Sequence, residues 1–244
     1  LYDDMSAFLG EENPLLQRKL VLLPSRDTMM YEDISPDSEL MRDRLMGLWR
    51  LARGEKLVVV TTPDGAFGQT LPKARLLSAT IELKKGESVT REALATQLIK
   101  AGYQRQELVE GAGEFSLRGE VIDIWPSTSE TPLRLEQFGD EIESLRHFDP
   151  STQRSTAALE SITILPAREL LLEAENTEEA CAFISLALEK QIEQLEEQKE
   201  REAALHLAQK VRDDLLALSQ MTYRRGLEYY LPYLWPEPSL PADY

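Results

Sequence analysis

The sequence predicts a mixed chain of α/β plus α+β class, organised as three zones of different composition. Residues 1–77 hold two short apolar runs around a helical pattern, which is typical of a truncated parallel-sheet, nucleotide-fold-like domain. Residues 78–165 hold several β-rich runs separated by turn residues, which indicates an antiparallel sheet. Residues 166–244 include a stretch from Asn176 to Ser219 without Gly or Pro, which favours a mostly helical domain.

The first zone has the pattern of one β–α–β unit. The runs Leu20–Leu23 and Leu57–Thr62 are continuous, which is typical of strands buried on both faces of a parallel sheet. A helix is predicted between them, beginning after Pro36 at Asp37 or Ser38 and ending at Gly54, which suits a left-handed cap. Its apolar positions follow a helical spacing: Met41, Leu45, Leu48 and Ala52.

This zone lacks the glycine patterns that cradle phosphates. Neither G-x-x-x-x-G-K-[ST] nor G-x-G-x-x-G occurs; Gly54-Glu55-Lys56 precedes a strand, and no Lys-Ser or Lys-Thr pair follows Gly68. We therefore expect no ATP hydrolysis by this chain alone and no bound cofactor.

The second zone combines one helix with several strands. Thr90 can cap a helix that carries Leu94, Leu98 and Ile99 and ends at Ala101-Gly102. The strands predicted after this helix are Glu120–Trp125, Leu133–Phe138, Glu141–Phe148 and Thr163–Leu165. Gly139-Asp140 suits a two-residue hairpin turn, so the zone is predicted to be a compact α+β module.

The hairpin offers candidate binding residues. Strand alternation places Arg134, Glu136 and Phe138 on one face, and Leu133, Leu135 and Gln137 on the other. A two-residue turn then sets Phe138 opposite Glu141, and Glu136 opposite Glu143. An exposed Phe beside an Arg is typical of a binding hot spot. A register slip of one residue would instead bury Phe138, and periodicity alone does not separate the two alternatives.

Arg118, before the predicted strand Glu120–Trp125, is a second candidate contact. By sequence alone, an arginine in this position is more often a surface ion-pairing residue.

The third zone predicts one long helix or two shorter ones. Asn176 and Glu179 have the spacing of a capping box, and an apolar stripe follows: Ile184, Leu188, Ile192 and Leu195. The glutamate-rich stretch Glu193–Glu202 indicates a solvated helix face. The aromatic segment Gly226–Pro238 is predicted to pack against a neighbouring core.

Composition excludes several functional classes. The 244 residues carry 27 Lys plus Arg against 43 Asp plus Glu, a formal charge of −16, which predicts weak or no direct nucleic-acid binding. No apolar run is long enough to span a membrane and no signal peptide is recognisable, so we expect a cytoplasmic chain. One cysteine, Cys181, and two separated histidines, His147 and His206, argue against a disulfide framework and a metal site. No catalytic constellation is recognisable.

Two long motifs carry a family resemblance. Gly113–Pro126 reads GEFSLRGEVIDIWP, and Leu133–Asp149 reads LRLEQFGDEIESLRHFD. They resemble the G-E-F-x-x-R-G-x-[IVL]-[IVL]-D-[IVL]-[FW]-P and [RY]-R-[ILV]-[ED]-x-F-[GD]-D-E-[IV]-[ED]-S-[IL]-R-x-F-D patterns of the bacterial transcription-repair coupling factor (Mfd) family. The excision-repair protein UvrB has a looser version. Pro24–Glu32, Ser35-Pro36 and Gly226–Pro232 extend the resemblance, in order, over most of the chain.

The resemblance implies a non-catalytic module whose antiparallel domain binds the repair ATPase UvrA. The family's contact positions match Arg118, Arg134 and Phe138, and Glu141 completes the predicted UvrA-binding set. The resemblance thus favours an exposed Phe138 and places Gln137, a departure from the family pattern, against the core.

It also implies a much larger parent, of which this chain would be the front portion, and the opening Leu1 suggests either a processed chain or an excised fragment. The parent would be an ATP-dependent DNA translocase acting on stalled RNA polymerase, which it would contact only through regions absent here. Other domains of the full-length coupling factor are further expected partners. Two alternatives stay open: a UvrB-like helicase fragment, and an intramolecular autoinhibitory domain.

Overall fold

The computed structural model describes residues 1–26, 38–224, 226–235, 237 and 239–244. In the first zone the elements are α1 (Tyr2–Glu12), α2 (Pro14–Gln17), β1 (Leu20–Leu23), α3 (Ser38–Ala52), β2 (Val58–Thr61), α4 (Pro63–Phe67) and α5 (Lys73–Ser78). The helix start predicted at Pro36 or Asp37, the motif residues 27–32 and 35–36, and the tail prolines Pro236 and Pro238 lie outside the described residues.

Strands β1 and β2 pair in parallel and α3 packs on β1, so the predicted β–α–β unit is confirmed. Gly54 ends the helical segment with a positive φ of 76°, as predicted. The prediction that both strands are buried on both faces is wrong for β2, because the Val58 side chain is 45% exposed. Among the described residues β2 pairs only with β1, so it is an edge strand.

The middle of the chain forms two sheets. Its elements are β3 (Ile81–Lys84), α6 (Arg91–Lys100), β4 (Gln104–Arg105), β5 (Glu114–Arg118), β6 (Val121–Ile124), β7 (Leu133–Phe138), β8 (Glu141–Phe148), β9 (Ser155–Leu159) and β10 (Ser161–Ile164). Strands β4 to β9 lie in chain order in a six-stranded sheet, antiparallel except for β4–β5, and β3 pairs with β10. The sequence did not predict β3, β4, β5 and β9.

One face of the six-stranded sheet is apolar. Its core with α6 includes Leu94, Leu98, Phe115, Ile122, Ile124, Leu133, Leu135, Ile142 and Leu145. The Thr90 hydroxyl accepts a hydrogen bond from the Ala93 amide at 3.2 Å, so the predicted cap is confirmed. Ile99, the third apolar residue of this helix, is 57% exposed, on the outer side of α6.

The last part of the chain is helical. Its elements are α7 (Ala174–Glu197), α8 (Arg201–Ser219), a 3-10 helix (Leu227–Tyr230), α9 (Leu231–Leu234) and a second 3-10 helix (Pro241–Asp243). The helical conformation is interrupted between α7 and α8 at Lys199, whose φ is +63°, so the prediction of two shorter helices is confirmed. The capping box is wrong, because α7 begins two residues before Asn176 and makes no side-chain cap hydrogen bond.

A second core joins the two ends of the chain. Leu23, Leu48, Leu71 and Leu76 from the first zone contact buried residues of the last. The latter include Leu170, Ile184, Leu218, Leu227, Leu231, Leu234 and Trp235. The predicted packing of the aromatic tail is thereby confirmed, and the structure is a mixed α/β fold with several sheets. The predicted zone limits at residues 77 and 165 stay predictions.

A buried ion pair lies beside this second core. Arg44 Nε donates to Glu169 Oε1 at 2.6 Å, Arg44 Nη1 donates to the Pro24 carbonyl at 2.8 Å, and Thr70 donates to Glu169 Oε2. Burial alone would raise the pKa of Glu169, but the charges of Arg44 and Arg26 and these hydrogen bonds outweigh it, so the pKa lies below its ordinary value. The pair ties α3 to the segment that precedes α7.

Over the described ranges, none of the helices combines the length and apolar character that a membrane crossing requires.

Candidate protein-binding site

The candidate site lies on the outer face of the six-stranded sheet, opposite the apolar core. Side chains that are paired across neighbouring strands share a face, so one row runs from Ser116 through Asp123 and Arg134 to Arg146. Asp123 is fully buried although it belongs to this outer face. Two arginine side chains cover it.

Arg134 is held on three sides. Its Nε and Nη2 donate to the two carboxylate oxygens of Asp123 at 2.7 and 2.9 Å, which is a bidentate pair. Nη2 and Nη1 also donate to the side-chain and backbone oxygens of Gln153 at 2.9 and 3.2 Å. The guanidinium carbon lies 4.4 Å from the centre of the Phe148 ring, a cation–π contact.

These contacts leave the Arg134 side chain only 15% exposed. The hydrogen bond to Asp123 raises the pKa of Arg134, and burial opposes this only in part. Arg134 is therefore a fixed cation in the surface of the sheet.

Arg118 occupies a different environment. It ends β5 just before Gly119, whose φ of +59° starts the tight connection to β6. Its Nη2 donates to Asp123 Oδ2 at 2.5 Å, and its side chain stays 46% exposed. Asp123 thus orients Arg118 without covering it.

Phe138 projects from the tip of the β7–β8 hairpin and is 77% exposed. It pairs with Glu141 across the Gly139-Asp140 turn, and Gln137 on the opposite face is buried, with its amide donating to the Val89 carbonyl at 2.7 Å. The predicted turn, the exposed Phe138 and the buried Gln137 are confirmed, and the slipped register is wrong.

The predicted pairing of Glu136 with Glu143 is wrong. A bulge shifts the register after Glu136, so this residue pairs with Ser144, whose hydroxyl donates to Glu136 Oε2 at 2.6 Å. The extra residue leaves Glu143 exposed at the rim of a groove of about 400 Å³, next to Arg146.

The segment before α6 braces the hairpin tip. The Val89 amide donates to the Asp140 carbonyl at 2.8 Å, and the Ile142 amide donates to the Glu87 carbonyl at 2.9 Å. Ser88 forms a bridge with Glu141, which is itself exposed. The tip that carries Phe138 and Glu141 is therefore tied to the body of the module.

The structure brings the four predicted residues together as two pairs on one face. Arg118 and Arg134 share Asp123, and Phe138 stands opposite Glu141. Arg134 and Phe138 are four residues apart on β7, a distance of about 13 Å at the usual rise of a strand. The face therefore presents a cationic end and an aromatic end.

The sequence did not identify three residues that hold the site arginines in place: Asp123, Phe148 and Gln153. A signal for Asp123 exists, because it alternates with Ile122 and Ile124 and so belongs to the polar face of its strand. The role of Gln153 could not be found in this way, because it depends on how the 149–154 loop folds back, with a positive φ of 60° at Gln153 itself.

In the part of the chain that the structure describes, no three His, Cys, Asp or Glu side chains cluster closely enough to hold a metal ion. The arrangement around Asp123 instead consists of hydrogen-bonded ion pairs beside an exposed aromatic ring. Such a surface can bind another protein.

Comparison with known proteins identifies the module that carries this surface. Residues 81–170 match the family described as "UvrB interaction domain". This segment is therefore similar to a UvrB interaction domain, and we refer to residues 81–170 by that description. All four predicted contact residues, and Asp123, lie within it.

The similarity to known proteins extends beyond residues 81–170. The chain is 37% identical over 173 residues to the transcription-repair-coupling factor of Myxococcus xanthus, covering 70% of this chain and 14% of the relative. It is 33% identical over 243 residues to that of Bacillus subtilis, covering 99% and 20%. It is also 33% identical over 222 residues to UvrABC system protein B of Gloeothece citriformis, covering 91% and 33%.

The resemblance to the transcription-repair coupling factors that the sequence motifs indicate is thereby confirmed. The chain spans a fifth or less of the two coupling factors and a third of the UvrABC system protein B.

Proposed function

We propose that this chain is a non-catalytic interaction module of transcription-coupled nucleotide excision repair. It recruits UvrA on behalf of a larger DNA translocase that acts on stalled RNA polymerase. The observation that carries the proposal is the outer face of the UvrB interaction domain, which has Phe138 exposed on a braced turn at one end and the arginine pair held by Asp123 at the other. The names of the relatives support a role in nucleotide excision repair.

The chemistry of the face suits docking. Aromatic and arginine side chains dominate binding energy when they enter desolvated pockets of a partner. Phe138 already stands clear of its own domain, so its burial by UvrA removes apolar surface from water without disturbing the fold. The braced turn limits the conformational freedom that binding must remove.

Two further observations favour docking over catalysis by this chain. The sequence contains no P-loop pattern, which argues against the alternative of a UvrB-like helicase fragment. A formal charge of −16 argues against a direct nucleic-acid footprint. An autoinhibitory clamp inside a longer parent would use the same face, and is compatible with UvrA binding at another time.

Calorimetric titration of UvrA with this chain and with Phe138→Ala tests the proposal. We expect the wild-type chain to bind, and Phe138→Ala to lose at least about 1 to 2 kcal/mol, roughly a 5- to 30-fold increase in Kd. Phe67→Ala is the matched control, because Phe67 is an exposed phenylalanine on α4, outside the UvrB interaction domain. Absence of binding by the wild-type chain, or equal losses in both variants, would contradict the proposed function.

A further inference from the structure

We propose that Asp123 is a positioning residue that gives the two site arginines different tasks. Arg134 becomes a fixed part of the surface, and Arg118 is the guanidinium presented to a carboxylate of the partner. This inference rests on the proposed function, and it deepens it by assigning the contact to one arginine and naming the chemical group that this arginine reads.

The hydrogen-bonding capacity of Arg134 is almost exhausted inside the chain. A guanidinium has five N–H donors, and the bonds from Arg134 to Asp123 and Gln153 use four of them. The Phe148 ring covers one face of the guanidinium plane. A partner that took hydrogen bonds from Arg134 would first have to break this network.

Arg118 keeps most of its capacity. The described contacts engage one of its five N–H donors, at Nη2, and nearly half of its side chain is exposed. The remaining donors form a planar fork, which matches the two oxygens of a carboxylate. The bond to Asp123 holds one end of this fork, so less side-chain freedom is lost when the partner binds.

The local charges agree with this division. Asp123 is one negative charge between two positive ones, so the cluster keeps one net positive charge, and Arg118 is its exposed member. The surroundings carry both signs, because Glu136 and Glu143 line a groove together with Arg146, in a chain of formal charge −16. An exposed cation held at one point favours a partner carboxylate placed opposite it.

The partner surface that fits therefore has a carboxylate facing Arg118 and an apolar pocket for Phe138. Without the Asp123 carboxylate, both guanidinium groups would lose their shared acceptor and repel each other. Binding of UvrA would weaken through the displacement of Arg118, although Asp123 itself, being fully buried, touches no partner.

A double-mutant cycle with UvrA tests the positioning role. We expect Asp123→Asn to raise the Kd about 5- to 20-fold, a loss typical of an interface contact. In an Arg118→Ala background the same change should raise the Kd less than 2-fold, whereas in a Phe138→Ala background the two losses should multiply. A loss of equal size in both backgrounds would show general damage to the domain and overturn the inference.

Arg134→Lys provides the second arm, because lysine keeps the charge and can still reach Asp123. We expect its effect on Kd to vanish in the Arg118→Ala background. A further loss there would show that UvrA contacts Arg134 directly and would overturn the division of tasks.

A measurement on the free chain separates this inference from the proposed function. The Arg134 Nε proton should exchange with solvent at least 10-fold more slowly than that of exposed Arg154, and Asp123→Asn should remove this protection. Equal exchange at Arg134 and Arg154 would overturn the positioning role, whatever UvrA does. Protected exchange without any binding of UvrA would leave the positioning role intact and contradict the proposed function instead.

Discussion

At the scale of single residues, an ion pair alone does not show which arginine of the site contacts a partner. Arg118 and Arg134 both ion-pair with Asp123, yet one is 46% and the other 15% exposed. Strand alternation predicted the correct face for Arg134 and Phe138, because the period of a strand is fixed by its backbone. It could not predict that the 149–154 loop would cover Arg134, because that depends on contacts between distant segments.

The difference between the two arginines predicts different effects on stability. Arg134→Ala should lower the free energy of unfolding by about 3 kcal/mol, because it leaves the buried Asp123 carboxylate with a single partner. Arg118→Ala should cost about 1 kcal/mol or less, because the pair is half-exposed and screened by solvent. Urea unfolding of both variants checks this; equal losses would contradict the network as described.

At the scale of elements, the hairpin shows what a turn motif determines. Gly139-Asp140 fixed the pairing of Phe138 with Glu141, because two-residue turns allow few registers. The bulge after Glu136 escaped prediction, because an extra residue in one strand carries no signature in a single sequence. The strands β5 and β9 were also missed: one reads EFSLR and the other STAAL, and neither run is strongly apolar.

The backbone conformation of the turn makes a substitution at Gly139 costly, although there is space for a larger side chain. A Cβ at Gly139 would meet nothing within 4 Å, but φ there is +62°, so Gly139→Ala should destabilise the domain by about 1 kcal/mol. Gly139→Asn should cost less, since asparagine tolerates this region better. Thermal unfolding of the two variants measures the difference, and an alanine variant as stable as wild type would contradict the strained turn.

At the scale of the whole molecule, the protein has two hydrophobic cores. The two ends of the chain share one core, and the UvrB interaction domain between them in sequence has a core of its own. The sequence predicted the β–α–β unit and the long helical stretch of the last zone, because these have strong periodic signals, but it missed the helices α1, α2, α4 and α5. It could not predict that Leu23 and Leu48 would share a core with Leu218 and Leu231, since one sequence contains no record of contacts between distant segments.

The buried pair of Arg44 and Glu169 predicts how acid affects this shared core. The pKa of Glu169 is lower in the folded chain than in the unfolded one, so its contribution is fully present above the unfolded pKa, at about 4.3, and is lost as the pH falls through the folded pKa. We therefore expect the free energy of unfolding to decrease as the pH is lowered through this acid range. The decrease should be smaller in an Arg44→Met/Glu169→Leu double variant.

The single and double variants of this pair should also differ at neutral pH. Glu169→Leu alone should cost about 3 to 5 kcal/mol, because it leaves a buried arginine unpaired, whereas the double variant should cost less. Urea unfolding at pH 7 compares them. A double variant that loses as much as the sum of the two single variants would show that the two charges do not act as a pair.

Binding of UvrA to the outer face of the six-stranded sheet can be tested by hydrogen–deuterium exchange of this chain with and without UvrA. We expect slower exchange at the turns 119–120 and 139–140 and in the 149–154 loop when UvrA is present, with α7 and α8 unchanged. Protection confined to α7 and α8, with both turns exchanging as in the free chain, would contradict it.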